Sequence, residues 1–225
     1  MIKPVKTGFS NDKRGEACTI VCMKILDTQF VQGVVNETAV LYDGTPHIAF
    51  IGRSNVGKSS TLNAVTGKRR MVKVGQTPGK TKEINFFKTR VLNDDESQGH
   101  IYLVDLPGYG YAKVSKDKRN QLKDLIDWYI THPEVDLELI CLIIDAKVGL
   151  TDLDIAMIQT IQKRNRNMVL AVNKIDKLNQ KSLSQLKKDL LEHFLPEQVV
   201  YYSAETKKHV DKLLEKTIYS VKAKV

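Results

Sequence analysis

From residue 46 onward, short runs of apolar and β-branched residues alternate with longer segments whose apolar positions recur every three or four residues. That alternation is the pattern of parallel βα units. The short runs predict strands over His47–Ile51, Glu83–Val91, His100–Asp105, Leu137–Asp145, Met168–Asn173 and Gln198–Tyr202. Residues 139–144 and 168–172 are apolar at every position, as strands covered on both faces are. Helical spacing predicts Lys58–Gly67, Lys116–Thr131, Thr151–Arg164, Ser182–Phe194 and Thr206–Val221, with Thr151 and Asn179 as helix-start residues. Val210, Leu213, Leu214, Ile218 and Val221 make a stripe with lysines between them, which reads as a core face. The connection at residues 93–99 is turn-rich and too short for a helical crossover, so the strands it joins should form an antiparallel hairpin. Before residue 46, Ile25–Val31 is a candidate edge strand, and Asp43-Gly44-Thr45-Pro46 turns into the main unit. The expectation is a three-layer α/β fold: a mostly parallel central sheet with one antiparallel hairpin strand and helices on both faces. Residues 1–45 form an N-terminal extension and residues 46–225 the main domain.

A length of 225 residues, at ~150 per domain, allows one domain or a small pair. A chain of this size buries roughly 70% of its unfolded surface and needs no disulfide or metal staple. The longest apolar run, Leu139 to Ile144, falls far short of the ~20 residues that cross a bilayer, so no membrane partner is expected. No apolar stretch follows the basic N-terminus, which argues against a secretory signal. Cys18, Cys22 and Cys141 are too few and odd in number for a disulfide framework, so reduced thiols and a cytoplasmic location are expected. The five histidines show no metal spacing. Trp128 reads as helix packing.

Charge changes the picture when it is divided by segment. Residues 1–45 carry five basic and five acidic groups, and residues 91–225 carry twenty of each. Residues 46–90 carry ten basic groups and one acid, Glu83, so the whole net charge of +9 sits there. A field concentrated in this way points to a polyanionic ligand, partner or both, with a solvated basic face as the plain alternative.

The same segment opens on Gly52-Arg53-Ser54-Asn55-Val56-Gly57-Lys58-Ser59, which fits G-x-x-x-x-G-K-[ST], follows a predicted strand and begins a predicted helix. Successive N–H groups of such a loop make an anion nest, and the helix dipole adds positive charge there. Lys58 can reach the terminal phosphates, and the Ser59 hydroxyl can ligate Mg²⁺. Asp105-Leu106-Pro107-Gly108 ends another strand, where a carboxylate can hold Mg²⁺ through its water shell and the Gly108 N–H can meet a γ-phosphate. Asn173-Lys174-Ile175-Asp176 ends a third. Asp176 can accept hydrogen bonds from the N1–H and exocyclic amine of guanine, whereas adenine would leave that carboxylate unpaired, a penalty of ~10³-fold or more. Lys174 can lay its stem over the base, and Asn173 can tether its loop to the phosphate loop. Tyr202-Ser203-Ala204-Glu205 offers backbone N–H groups to the guanine O6.

These four elements, in this order, resemble the translation-factor-like class of P-loop GTPases. Residues 52–60 (closing on Ser60), Thr77-Pro-Gly79-Lys80-Thr81, Ile84-Asn-Phe-Phe87 and Asp105-Leu-Pro-Gly-Tyr-Gly-Tyr-Ala112 are similar to the EngB (YihA/YsxC) family of ribosome-biogenesis GTPases, over about residues 46–220. The resemblance implies the P-loop GTPase fold, Mg²⁺ as cofactor, GTP and GDP as ligands, and catalytic roles for Lys58, Thr81 and Gly108. Gly79, Lys80 and Thr81 would then belong to the nucleotide site, with Thr81 joining Ser59 on Mg²⁺ when the γ-phosphate is present and Thr77 as the competing ligand. It also implies ribosomal RNA and large-subunit precursors as partners, roles in the cell cycle and septation, and a monomer. The guanine motif reads Asn-Lys-Ile-Asp where Thr-Lys-x-Asp is commoner in the family, a departure that keeps Asp176.

Many small GTPases place a glutamine after D-x-x-G to orient the attacking water, and here Tyr109 stands in that position. A phenol cannot reproduce a carboxamide's two-sided hydrogen bonding, so slow intrinsic hydrolysis is expected, whether Tyr109 packs or takes part. Asn55 stands where similar GTPases can use K⁺ beside the phosphates, which exchange of K⁺ for Na⁺ tests. Beyond Lys58, the basic segment holds Lys68, Arg69, Arg70, Lys73, Lys80, Lys82, Lys88 and Arg90, more than one nucleotide needs. Two functions remain: a GTP switch on ribosomal RNA, or a GTP-gated regulator of protein partners alone. A P-loop kinase or ATPase does not fit Asn173-Lys174-Ile175-Asp176.

Overall fold

The longest apolar runs lie at the centre of the sheet, where both of their faces can be covered. The structure, a computed structural model, describes residues 24–35, 41–68, 71, 83–93, 95–110, 115–221 and 223. In chain order the elements are β1 (Lys24–Val34), β2 (His47–Gly52), α1 (Lys58–Thr66), β3 (Ile84–Leu92), β4 (Gln98–Asp105) and α2 (Lys116–Thr131). They continue with β5 (Leu137–Asp145), α3 (Asp152–Lys163), β6 (Met168–Asn173), α4 (Gln180–Leu191), β7 (Val199–Tyr201) and α5 (Val210–Thr217). The strand order is β1-β3-β4-β2-β5-β6-β7. β3 runs antiparallel to both of its neighbours, and β4, β2, β5, β6 and β7 are parallel, as the hairpin expectation required.

Two apolar layers hold the helices. On one face Ile126 and Tyr129 of α2, Ile158 and Ile161 of α3 and Leu190 of α4 join Ala49, Phe86, Val104 and Leu142 of the sheet. On the other, Leu62 and Val65 of α1 and Val210 and Leu213 of α5 join Phe50, Leu103, Cys141 and Ala171. α1 has only nine residues, rich in Ser, Thr and Asn, and could not persist alone. Burial of large side chains, at roughly 1.5–3 kcal/mol each, secures it. At the start of β2, His47 is buried among Phe86, Tyr102 and Tyr129 and hydrogen-bonded to the Tyr129 hydroxyl (2.9 Å). Burial lowers its imidazole to about 4, against the opposing pull of Asp43.

The ends of several elements differ from expectation for local reasons. The Asn179 side chain accepts from Ser182 N–H (2.8 Å), so α4 starts at Gln180 rather than Ser182. α5 starts at Val210, not Thr206, because Lys207 and His209 take left-handed backbone (φ 60° and 59°). It ends at Thr217, yet the expected stripe is buried at Val210, Leu213, Ile218 and Val221. β7 is shorter than Gln198–Tyr202 because Gln198 closes a turn, its Oε1 accepting from Leu195 N–H (3.0 Å). The candidate edge strand is longer than expected and pairs with β3 along Lys24–Val34.

The parallel register sets Phe50 beside both Asp105 and Cys141, and Asp145 beside Asn173. The loops after β2, β4, β5 and β6 therefore leave from one edge of the sheet, the carboxyl edge at which open α/β sheets bind ligands.

Candidate functional site

Between β2 and α1 the chain turns through Asn55 (φ 69°) and Gly57 (φ 97°), both in left-handed backbone. Gly57 has a second reason to be glycine: a Cβ there would overlap the Asn173 side-chain amide. A Cβ at Gly52 would likewise strike the Ile143 carbonyl. The first intrahelical bond of α1 runs from Thr61 N–H to Gly57 O (2.8 Å). The amides of Lys58, Ser59 and Ser60 thus have no acceptor within the helix and are placed for an external anion. Within the loop, Val56 N–H donates to Arg53 O (3.4 Å) and Ser54 N–H to Tyr109 O (3.2 Å).

Lys58 and Asp105 meet where β2 and β4 end. The Lys58 ammonium donates to Asp105 Oδ1, and both side chains are buried. Asp105 Oδ2 is buried with no hydrogen-bond partner among the described residues. Leaving such an acceptor unmade is costly, and a cation-bound water would supply the missing donor. With the Ser59 hydroxyl on the first turn of α1, this hard-oxygen set fits Mg²⁺. Leu106 N–H donates to Phe50 O (3.0 Å), and Leu106, Pro107 and Gly108 are buried against the end of β2.

Asn173 joins three loops. Its Nδ2 donates to Val56 O in the phosphate loop (2.9 Å), as expected, while its Oδ1 accepts from the N–H of Lys174 (2.8 Å) and of Ala204 (3.0 Å). Lys174, itself left-handed (φ 67°), sends its ammonium back to Asn55 O (2.6 Å) and Asp145 Oδ2 (2.7 Å). Burial would raise the Asp145 carboxyl, but the bonds from Lys174 and from Lys147 N–H outweigh it and hold the group below its usual value. Lys174 therefore clamps the phosphate loop. Asp176 is exposed on the short turn Ile175–Lys177.

Three of the amides after β7 that the sequence offers to the base are engaged within the fold. Tyr202 N–H donates to Val172 O (2.9 Å), Ser203 N–H to Lys208 O (3.0 Å) and Ala204 N–H to Asn173, so all three are committed here. The Tyr202 side chain is buried and its hydroxyl meets Thr61 Oγ1 (2.6 Å), bracing α1 from beneath.

Tyr109 is packed and engaged. Its hydroxyl donates to Asp154 Oδ1 (2.7 Å), and burial and the Asp154 carboxylate together push the phenol far above its ordinary range. Arg53 Nε donates to the other oxygen of Asp154 (3.2 Å). Sequence reasoning missed both Asp145 and Asp154. Asp145 sits at a strand end as Asp105 does, and Asp154 stands three residues after the helix-start Thr151, the only signals the chain offers.

Part of the basic segment is also placed. Lys68 is spent within the fold, paired with Asp27 (2.7 Å) and donating to Thr28 O, so it is no free cation. Lys88, Arg90 and His100 line an open groove of about 170 Å³ with Asp27 and Gln29. Lys88 lies over the Tyr102 ring (5.8 Å), and Arg90 donates to Gln98 Oε1 (3.3 Å). Gly79, Lys80, Thr81 and the competing Thr77 lie outside the described residues, as do Cys18, Cys22, Arg69, Arg70, Lys73, Lys82, Tyr111 and Ala112. Among the described residues no cluster of His, Cys, Asp or Glu could hold a metal by itself, Trp128 packs beside the His132 ring, and no helix is long and apolar enough to cross a membrane.

A family model described as a 50S ribosome-binding GTPase matches residues 47–174, and one described as the elongation factor Tu GTP binding domain matches residues 130–223. A probable GTP-binding protein EngB from Mycoplasmopsis synoviae is 39% identical over 189 residues, covering 83% of this chain and 96% of its own. A counterpart from Clostridium botulinum is 36% identical over 197 residues, covering 86% and 95%. The crystal structure of a probable GTP-binding protein engB aligns with a TM-score of 0.59 at 25% identity, over 77% of this chain and 97% of that one.

Proposed function

The chain belongs to the EngB family of GTP-binding proteins, and from that premise we propose that its GTPase switch serves assembly of the large ribosomal subunit. Hydrolysis of GTP is the activity of the fold and family. In our reading residues 46–225 act as the GTPase domain, with β1 as an added edge strand. Gly52 to Ser60 hold the phosphates, Asp105 to Gly108 sense the third phosphate, and Asp176 reads the guanine edge. An O6 contact at Ala204 would exchange its present bond to Asn173 for one to the base. Ser59, and Thr81 by resemblance, would ligate Mg²⁺, with Asp105 acting through a water. Held there, the ion would neutralise charge that develops on the phosphates. With Tyr109 engaged on Asp154 in place of a water-orienting glutamine, unassisted hydrolysis is slow.

The ribosomal half of the reading is carried by charge: ten basic groups against one acid in residues 46–90. Of these, Lys88 and Arg90 face an open groove beside His100, suited to a phosphodiester backbone. The description of the matching family model as a 50S ribosome-binding GTPase supports the same partner and a cytoplasmic place of work. The test is sedimentation of the chain with large-subunit precursors, with GDP or a non-hydrolysable GTP analogue, across a salt series and after nuclease treatment. Nucleotide-dependent, steeply salt-sensitive and nuclease-sensitive association is expected. Association that survives nuclease and salt would instead mark a regulator of protein partners alone.

A further inference from the structure

Asp154 belongs to no nucleotide-binding motif, yet it is fully buried and accepts four hydrogen bonds from three parts of the chain. Thr151 N–H (2.9 Å) and Thr151 Oγ1 (2.7 Å) donate from the start of α3, Arg53 Nε (3.2 Å) from the phosphate loop, and the Tyr109 hydroxyl (2.7 Å) from the loop after β4. Three of these donors converge on Oδ2, and the Tyr109 hydroxyl alone takes Oδ1. A helix-capping aspartate needs only the Thr151 contacts. The other two join the loop that holds phosphates to the loop that must move when a third phosphate arrives.

The backbone shows what this join does. Tyr109 forms a single parallel bridge with Arg53: Ser54 N–H donates to Tyr109 O (3.2 Å) and Tyr109 N–H to Gly52 O (3.4 Å). A phosphate-loop amide is thus occupied by the residue next to Gly108. Gly110 (φ 77°) lets the α3 end close over this bridge, since a Cβ there would sit 3.0 Å from Leu153 Cδ1 and 3.7 Å from Arg53 Cδ. Tyr109 is held by its backbone on one side and by its side chain on the other.

We infer that Asp154 is a positioning residue that latches Tyr109 to Arg53 with Ser54 N–H committed to Tyr109 O, and so biases the switch toward GDP. This rests on the GTP-binding reading of the site and not on the ribosomal one. A third phosphate that draws the Gly108 N–H would pull on its chain neighbour Tyr109 and so work against the bridge and the phenol, a demand GDP does not make. A ligand shifts such an equilibrium only through its differential affinity for the two states, so the latch lowers GTP affinity and leaves GDP affinity unchanged.

The experiment is calorimetry of the full chain with Mg²⁺, titrating GDP and a non-hydrolysable GTP analogue into the wild type, Tyr109→Phe, Asp154→Asn, the double variant Tyr109→Phe with Asp154→Asn, and Thr151→Val. Loss of one hydrogen bond to a buried charge should raise analogue affinity relative to GDP by about tenfold in Tyr109→Phe. Asp154→Asn should do the same, and the double variant should gain no more than the larger single one, because both changes open one latch. Thr151→Val, which removes only a cap contact, should lower stability and keep the wild-type affinity ratio. A ratio unchanged in Tyr109→Phe, or raised equally in Thr151→Val, overturns the latch. Absence of binding to either nucleotide by folded wild type would instead overturn the site itself.

Discussion

Replacing Asn173 with Ala should disconnect three loops at once. The buried Val56 carbonyl loses its donor, at about 1–3 kcal/mol, and the part-buried amides of Lys174 and Ala204 lose their acceptor, at about 1 kcal/mol each. The sum is about 3–5 kcal/mol, and water entering the vacated space brings it to the lower end. Urea denaturation of the nucleotide-free chain should therefore show a loss of about 3 kcal/mol with an unchanged slope. Nucleotide must then reorder loops that the amide no longer holds, so GDP affinity should fall on the order of 10²-fold. A stability loss below about 1 kcal/mol together with unaltered GDP affinity would refute the view that this amide organises the site.

Three further outcomes are expected. His47 protonates near pH 4 when folded and near 6.5 when unfolded, so between those values the unfolded chain binds the extra proton and stability climbs with pH. The contribution is complete above pH 6.5, amounts to about 3 kcal/mol, and should vanish from the wild-type profile in His47→Asn; parallel profiles would contradict it. Asp176→Asn should lose GTP affinity and gain affinity for xanthine nucleotides, measured by competition, because the amide NH2 can donate to the xanthine O2 where a carboxylate can only accept. Replacing Lys88 and Arg90 together with Ala should reduce the slope of log affinity for large-subunit precursors against log salt by about 1–2, while GDP affinity in calorimetry stays as in the wild type.

Legibility in the sequence followed the range of the forces involved. β5, β6 and α2 matched their expected bounds because an unbroken apolar run or a long helical period is written locally. Asn179 was readable as a cap for the same reason, whereas Lys207 and His209 took left-handed backbone with no residue type to announce it. The phosphate loop, Asp105 and the Asn173 tether could be placed from motifs, since their spacing encodes the chemistry. Asp145, Asp154 and the Lys68–Asp27 pair could not, because their partners lie 29 to 101 residues away and only the folded sheet brings them together. The burial of the Tyr202 side chain was not legible for a related reason, since it depends on a hydroxyl contact with Thr61 across the sheet face.

The single amide that ties the phosphate, base and post-β7 loops has a kinetic consequence. Base and phosphate grips on one nucleotide should not loosen in succession, since slack in either loop is transmitted to the other through the Asn173 side chain. Departure of GDP should proceed as one all-or-none event with a single exponential, and a factor that hastens exchange could act at either end of the nucleotide and free both.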